Sequence, residues 1–487
     1  MSEFTTSQHN VSGTHVVVIG AGFGGVSAAA YLAQAGYKVT VYEKSSRVGD
    51  QAGVIDREGF RFDMRPGWNR LPAGHDRWFT GLGARREDYY TVRRVDPSYK
   101  VYFCSSLRSE VGNAVTVPAD LAAAQALFET YEPGAGKRLA AFLKQAQRRY
   151  DRAMSELMYR NSNSLFDRLK GAILQNLRQL TLITTHRDRV ERFFTHPYLR
   201  KILQAPVASF GMSAAKTPAA CTQMNYIDFC LGMWYPEGGL GKVVESMHKV
   251  AESHGARFVF NTEVTGIRSS SGGASRVYVR SNCDEDEVHA DAVVPSGDYS
   301  CSLSLYGLDG LYGRPGRADR ADRAGRPGER SLSAAQLNYC VGFSCKLPQL
   351  AHRTVFWDTD CDDNLAAVSG NTGGPDIPLF YLEIPSITDP SCAPEGHEAV
   401  SITVPLAPGL EDSDELRQQC FTIVLDQIEK VTGKTLREAV VFHETTWFAP
   451  MHNLEKLSNF SQSNSPLRRV SGTFIDSEVR AATHSTE

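Results

Sequence analysis

The chain has 487 residues, a net charge of −3 with histidine neutral, 42% hydrophobic residues and 22% charged residues. This length predicts two or three domains that can bury a large core, and the near-neutral charge gives no support for nucleic-acid binding. No run of about 18 apolar residues predicts a membrane-spanning helix. The polar N-terminus lacks the apolar segment of a secretion signal, and the ten cysteines form no C-x-x-C pair. We therefore expect an intracellular protein with reduced thiols.

Residues 15–44 predict a strand, a glycine turn, a helix and a second strand, the pattern of a Rossmann-type dinucleotide site. The apolar run 16–19 leads directly into G-x-G-x-x-G, which is formed by Gly20, Gly22 and Gly25. These glycines allow a tight turn, backbone approach to a pyrophosphate and close helix packing. The helix 24–35 directs free N–H groups at an anion, and Glu43, after the strand 38–42, can accept hydrogen bonds from a ribose. These residues alone do not separate FAD from NAD.

The segment after the second strand resembles flavin-dependent phytoene desaturases of the bacterial and fungal carotenoid type. The shared order is E-K at 43–44, V-G-x-x-A-G at 48–53 and D-x-x-G-F-x-F-D-x-x-P at 56–66. A hairpin with strands 54–56 and 60–63 is predicted between the end of the second motif and the middle of the third. In that family the segment lies along FAD. The resemblance therefore implies FAD as the cofactor, with Lys44, Gly49 and Asp63 among the residues that bind it.

Three residues depart from the family pattern near the predicted cofactor. The family has a second glycine and then a basic residue after Gly49, where this chain has Asp50 and Gln51. Asp50 would repel a pyrophosphate. Arg65 replaces a glycine of the family motif, and it would either restore the missing positive charge or crowd the flavin pocket.

Residues 137–201 have the apolar periodicity of helices and hold 15 Lys and Arg against 5 Asp and Glu. A basic amphipathic helical segment can lie on an anionic membrane surface. An ordinary helical cap with a solvated basic face would give the same pattern. Relatives in the resembling family keep a helical domain here that takes a hydrocarbon from the bilayer, so the resemblance implies peripheral membrane contact.

The turn W-Y-P-E-G-G at 234–239 places aromatic rings beside bare backbone, which suits a flat flavin or a polyene. Fungal desaturases have a closely similar order here. We therefore predict a substrate pocket that includes Trp234, Tyr235, Gly238 and Gly239. An aromatic core corner with a tight turn is the structural alternative.

After this turn the sequence predicts a helix at 240–254 and strands at 257–261 and 261–267. The second strand resembles the family's return to the nucleotide domain, where the residue matching Val264 contacts the adenine through its backbone. A hairpin is predicted from 276–280 and 287–294. The FAD-binding domain is therefore expected to be discontinuous.

Residues 313–330 are rich in Gly, Pro and Arg and predict a disordered linker. The next part resembles the family's substrate domain, with strands predicted at 338–346, 379–384 and 399–405. A helix is predicted at 414–432. Relatives in the resembling family have a glycine-rich turn near their C-terminus, and the C-terminal segment of this chain lacks that turn. Thr483-His484 matches two residues of it. A truncated gene model and a divergent relative would both end this way.

Together these patterns predict an α/β protein: a discontinuous Rossmann-type FAD-binding domain, a mixed-sheet substrate domain and a helical membrane-facing domain. The predicted bounds are 1–105 and 226–300 for FAD binding, 106–225 for the helical and substrate region, 301–330 for the linker, 331–450 for substrate binding and 451–487 for the divergent tail.

The resemblance implies FAD-dependent desaturation of a hydrophobic isoprenoid in carotenoid or related polyene biosynthesis, at a peripheral membrane location inside the cell. No catalytic acid or base is assigned, the histidines lack metal-ligand spacing, and no second nucleotide fingerprint is found. A flavin reoxidised by oxygen or a quinone fits this pattern. Two alternatives stay open: a related flavin oxidase of another secondary metabolite, and a catalytically impaired remnant.

Overall fold

In a computed structural model of the chain, the structure describes residues 13–49, 53–64, 72–104, 111–155, 184–208, 213–269, 275–281, 284–297, 305, 335–358, 377, 379–406, 410 and 412–448. The departures Asp50, Gln51 and Arg65, the linker 313–330 and the tail from residue 451 lie outside the described residues.

The strands, in chain order, are β1 His15–Ile19, β2 Lys38–Tyr42, β3 Val54–Arg57, β4 Phe60–Asp63, β5 Val92–Arg94, β6 Tyr99–Cys104, β7 Val111–Val117, β8 Trp234–Pro236, β9 Arg257–Val259, β10 Thr262–Ser269, β11 Ser275–Ser281, β12 Asp284–Ala290, β13 Ala292–Pro295, β14 Ala335–Phe343, β15 Arg353–Asp358, β16 Leu379–Glu383, β17 Glu398–Leu406 and β18 Val440–Phe448. The α-helices are α1 Phe23–Gln34, α2 Pro72–Gly81, α3 Leu121–Tyr131, α4 Ala135–Ala153, α5 His186–Glu191, α6 Pro197–Ala208, α7 Gln223–Tyr226, α8 Gly239–Ser253 and α9 Asp414–Thr432. A π-helical turn, Ile227–Leu231, follows α7 directly.

The nucleotide-binding half is a three-layer structure around a parallel sheet of order β13-β1-β2-β9. Val16 and Val18 of β1 face helices α1 and α8, whereas Val17 faces the antiparallel sheet β10-β11-β12. Because consecutive side chains of a strand point to opposite faces, an apolar run such as β1 fits a strand that is covered on both sides. The strand, glycine turn, helix and strand predicted at 15–44 are therefore all present.

The second half is built on a mixed sheet of seven strands, of order β18-β14-β17-β16-β15-β6-β7. Strands β6 and β15 run parallel, and the other neighbours run antiparallel. Helix α9 covers one face, and helices α3 to α6 pack on the other. The structure thus contains the predicted mixed sheet, to which β6 and β7 of the N-terminal part contribute two strands. The predicted domain bounds themselves stay a prediction.

One predicted strand is wrong. The pattern of 287–294 predicted a single strand, but the structure divides it at Asp291 into β12, which pairs with β11, and β13, which joins the parallel sheet. The Asp291 carboxylate accepts a hydrogen bond from the His15 backbone N–H at 2.7 Å, and the Asp291 N–H donates to the His15 carbonyl at 2.9 Å. These two hydrogen bonds fix the point at which the chain passes from the antiparallel sheet to the parallel sheet.

No α-helix within the described ranges is long and apolar enough to cross a bilayer. The predicted helical segment 137–201 is helical in α4, α5 and the start of α6, whereas residues 156–183 lie outside the described residues. All seven cysteines in the part of the chain that the structure describes are free thiols.

Candidate functional site

The glycine turn after β1 brings helix α1 against its own strand. The Gly20 N–H donates to the Tyr42 carbonyl at 2.9 Å, which ties the turn to β2. A Cβ atom at Gly25 would overlap the Gly20 carbonyl oxygen, so only glycine permits this approach of helix to turn. Gly20 and Gly25 therefore give the tight turn and the close helix packing that the sequence predicted. A contact of Gly20, Gly22 or Gly25 with a pyrophosphate stays a prediction.

The first turn of α1 has no side-chain cap among the described residues. Its N-cap residue is Gly22, no described side chain accepts a hydrogen bond from the first N–H groups of the helix, and the first turn contains no acidic residue. The first N–H groups of a helix have no partner within the helix and carry partial positive charge. This terminus is thus shaped and charged for a phosphate group.

Glu43 lies buried at the carboxyl end of β2, beside the glycine turn. Its two carboxylate oxygens accept hydrogen bonds from the Ala21 N–H at 2.7 Å and the Ser45 N–H at 2.9 Å. Each oxygen of an ionised carboxylate can accept more than one hydrogen bond, so Glu43 can hold the turn and still receive a ribose hydroxyl. Its neighbour Lys44 is exposed.

The loop after β2 folds back onto the same turn. The N–H of Gly49, which is buried, donates to the Ala21 carbonyl at 3.0 Å. From the same loop, the Arg47 guanidinium reaches the Val54 carbonyl at 2.5 Å. These bonds place the loop that contains Gly49 along one side of the predicted cofactor cradle.

Sequence reasoning missed Ser296, which completes this edge. It follows β13, and its N–H donates to the Ile19 carbonyl at 2.9 Å. Its side-chain oxygen would be 3.0 Å from a Cβ at Gly24, so the small residues of turn and strand end fit together. Ligands of parallel α/β sheets bind at the carboxyl ends of strands, where Gly20, Glu43 and Ser296 lie. The available signal was Ser-Gly directly after an apolar strand.

Asp63, predicted to bind cofactor, caps helix α8 in this structure. Its carboxylate accepts hydrogen bonds from the Leu240 N–H at 2.9 Å and the Gly241 N–H at 3.4 Å. Burial raises the pKa of this carboxyl to about 6, although the two N–H groups and the charge of Arg61 favour its ionised form. A direct contact between Asp63 and FAD stays a prediction.

Gly238 and Gly239 form the turn that leads into α8. The Gly238 N–H donates to the Asp389 carboxylate at 2.8 Å. Gly239 has φ +77°, and a Cβ atom there would overlap the Asp63 carboxylate. The glycines thus allow two carboxylates from distant segments to approach one helix start. The role of Asp389 at this helix start was not predicted from the sequence.

The two aromatic residues of the same turn differ in their surroundings. Tyr235 is buried, its hydroxyl is 3.4 Å from the Cys392 sulfur, and its ring lies edge-on to His352 with centroids 5.1 Å apart. Burial raises the pKa of Tyr235 and, with the charge of Arg353, lowers the pKa of His352 to about 3. Both groups are therefore neutral at pH 7. Trp234 is partly exposed, and its indole N–H donates to the Leu231 carbonyl at 3.0 Å.

Val264 lies in β10, next to an irregularity in its pairing with β11. Its side chain packs with Val17 of β1 and Val279 of β11, so this strand is fixed directly behind the nucleotide sheet. The adenine contact of its backbone stays a prediction. No cluster of His, Cys, Asp or Glu side chains in the described ranges is suited to a metal ion.

The glycine turn, Glu43 and the start of α1 together have the features of a dinucleotide site, and comparison with known proteins places the chain in a family. Residues 23–469 match the flavin containing amine oxidoreductase family, and the chain belongs to it.

Three relatives are carotenoid enzymes by name. A carotenoid 3,4-desaturase of Haloarcula japonica is 34% identical over 89% of this chain and 84% of its own. A zeta-carotene-forming phytoene desaturase of Myxococcus xanthus is 30% identical over 82% of this chain and 73% of its own. A phytoene desaturase of Cercospora nicotianae is 30% identical over 82% of this chain and 62% of its own.

A solved structure supports the same fold. An oxidoreductase from Methanosarcina mazei superposes with a TM-score of 0.55 at 16% identity and covers 90% of this chain and 88% of its own. At this identity the likeness concerns the fold, which is that of an amine-oxidase-like flavoprotein with mixed sheets and helices.

Proposed function

We propose that the protein is an FAD-dependent carotenoid desaturase. The main support for this function is the 34% identity to a carotenoid 3,4-desaturase over 89% of the chain. The site agrees, because its glycine cradle, its uncapped helix α1 and Glu43 fit the pyrophosphate and ribose of FAD. The enzyme is an oxidoreductase that acts on CH–CH groups.

FAD, when bound, supplies the acceptor for a hydride from the carbon chain. The protein's own residues position the dinucleotide and keep water from the reacting carbons. Gly20, Gly22 and Gly25 let the backbone approach the pyrophosphate, and Ser296 closes the strand edge beside them. At the aromatic corner, Tyr235 and His352 are buried and neutral, which suits an apolar polyene better than a charged substrate.

The substrate is a hydrophobic isoprenoid, and the enzyme meets it at a membrane surface. The support for membrane contact is the excess of basic residues in 137–201 together with the packing of α4 to α6 on one face of the mixed sheet. Basic helical surfaces are attracted to anionic lipids. Attachment is peripheral and takes place inside the cell.

A two-stage experiment tests this function. The purified protein should show flavin absorption bands near equal stoichiometry. Anaerobic addition of phytoene or a related acyclic carotenoid in liposomes should bleach those bands and give a product that is two hydrogens lighter. A product that gains oxygen, or flavin bands that never bleach with any such substrate, would favour the related oxidase of another metabolite. A protein that stays colourless with added FAD would indicate the catalytically impaired remnant.

A further inference from the structure

Two half-buried arginines lie where helices α4 and α5 pack together. Arg149 lies in the last turns of α4, and Arg189 lies in α5. The helices are held together by apolar packing, with the rings of Phe142 and Phe193 5.4 Å apart. Arg152 and Arg192 flank the pair, and the four residues are named here the arginine cluster.

Neutral groups hold both central guanidinium groups in place. Arg149 donates to the Thr222 hydroxyl at 3.1 Å, and Thr222 is fully buried. Arg189 donates to the Gln145 side-chain oxygen and lies over the Phe193 ring, 5.5 Å from its centroid. These contacts orient the guanidinium groups, and among the described residues neither group has a carboxylate as an ion-pair partner.

The nearby carboxylates are engaged elsewhere. Glu191 pairs with Arg187 at 3.0 Å and with Arg200 at 3.7 Å. Asp188 accepts the Thr185 N–H at 3.0 Å as part of the α5 cap, and Asp151 is exposed on α4. Within the described part of the chain, no carboxylate lies within ion-pair distance of any member of the cluster.

The positive charges of the arginine cluster therefore repel one another in a partly buried place. Burial lowers the pKa of the Arg149 guanidinium, and the charges of Arg189 and Arg152 lower it further. Burial and the charge of Arg192 lower the pKa of Arg189 in the same way. An ordinary solvated basic face would keep such groups apart and in water.

We propose that the arginine cluster is a binding site for the phosphate group of an anionic phospholipid. Guanidinium groups bind phosphate through paired hydrogen bonds, and they tolerate partial burial better than an ammonium group does. The described parts of 137–201, which are residues 137–155 and 184–201, hold 11 basic residues and 3 acidic residues, and this excess adds to the charge complementarity with an anionic lipid. The inference rests on the proposed membrane contact, and it names the residues that make that contact selective for anionic lipid.

Flotation with vesicles tests the site with a matched pair of variants. The first is Arg149→Gln with Arg189→Gln. The control is Lys137→Gln with Lys144→Gln, which removes two charges from exposed positions of the same helix α4. The vesicles are phosphatidylcholine alone and phosphatidylcholine with about one-fifth phosphatidylglycerol.

Wild type should float with the anionic vesicles and not with the neutral ones. The arginine variant should partition at least about tenfold more weakly than the lysine variant, because a defined site depends on particular groups. A diffuse electrostatic attraction would weaken the two variants alike, because each variant loses two positive charges. Equal weakening would therefore overturn the site.

Two further measurements separate the sources of failure. The melting temperature of the arginine variant at low salt should equal or exceed that of wild type, since repulsion is relieved, whereas a purely structural role would lower it. Stabilisation of wild type by inorganic phosphate without vesicle binding would overturn the lipid assignment in favour of a free anion. A protein that retains flavin and desaturates but never floats refutes this inference alone, whereas loss of flavin concerns the proposed function.

Discussion

Helices α1 and α8 both have a glycine at the N-cap, yet their N-termini differ in what their N–H groups bind. Among the described residues, no side chain caps the start of α1, and its first turn contains no acidic residue. At the start of α8, the Asp63 carboxylate accepts the Leu240 and Gly241 N–H groups, and the Asp389 carboxylate accepts the Gly238 N–H. A glycine-rich helix start is thus an anion site only when the protein leaves its N–H groups free.

The comparison separates cofactor binding from architecture. At α1 we propose that the negative charge comes from the bound cofactor, so damage there should appear in flavin content. At α8 the negative charge is already provided by the chain, so damage should appear in stability and in the fit between the two halves of the protein.

The largest effect is expected from Gly25→Ala. The new Cβ atom would overlap the Gly20 carbonyl oxygen and push α1 away from the turn. FAD affinity should fall by about a hundredfold or more, equivalent to about 3 kcal/mol. The ratio of flavin to protein absorbance after gel filtration measures this loss. Gly74→Ala in α2, where a Cβ meets open space, is the control and should keep its flavin.

Gly239→Ala should mainly destabilise the protein. It adds a Cβ at φ +77° and against the Asp63 carboxylate, so strain and overlap combine to cost about 2–4 kcal/mol. Gly255→Ala also adds a Cβ at positive φ, +98°, but into open space, and should cost about 1 kcal/mol. Denaturant unfolding compares the two variants. Equal losses would contradict an interaction between Gly239 and Asp63.

Asp63→Asn should change how stability depends on pH. In wild type the folded pKa of Asp63 is raised to about 6 from 3.8. The folded state therefore binds the proton more tightly, and this group's contribution to stability falls as pH rises from about 4 to 6. Asn can still accept from α8 but does not titrate. Between pH 4 and pH 7 the variant should gain about 2–3 kcal/mol relative to wild type, measured by denaturant unfolding. A constant difference across this range would refute the raised pKa.

The smallest effect is expected from Trp234→Phe. This change removes the indole N–H bond to the Leu231 carbonyl, which should cost about 1 kcal/mol in thermal or denaturant unfolding. If Trp234 also lines the substrate pocket as predicted, product yield should fall beyond what the loss of folded protein explains. An unchanged turnover per folded molecule would leave Trp234 as a structural residue.

Sequence alone predicted the strand, glycine turn, helix and strand of residues 15–44 well, because these parts are close along the chain. Gly20, Gly25 and Glu43 lie within about 25 residues, and a strand, turn and helix of fixed geometry connect them. Helix 414–432 and strand 38–42 were also predicted at the bounds the structure has, since apolar periodicity records local burial directly.

The remaining site residues depend on tertiary contacts that no local pattern records. Asp389 reaches Gly238 across 151 positions, and Asp63 reaches Leu240 across 177. The single strand predicted at 287–294 was wrong for the same reason. Only the pairing of Asp291 with His15 shows where the chain passes from one sheet to the other. The chemistry of a carboxylate is visible in sequence, whereas its partner is not.

The order β13-β1-β2-β9 also has a consequence for synthesis of the protein in the cell. During synthesis, β1 can pair with β2 as soon as residue 42 has emerged. The other edge of β1 can pair only after β13, which begins at Ala292, has been made. At a translation rate of about 5–20 residues per second, that edge stays unpaired for on the order of 15 to 55 s. The nascent chain exposes an apolar strand during that interval, so its yield in cells should depend on chaperones that shield such edges.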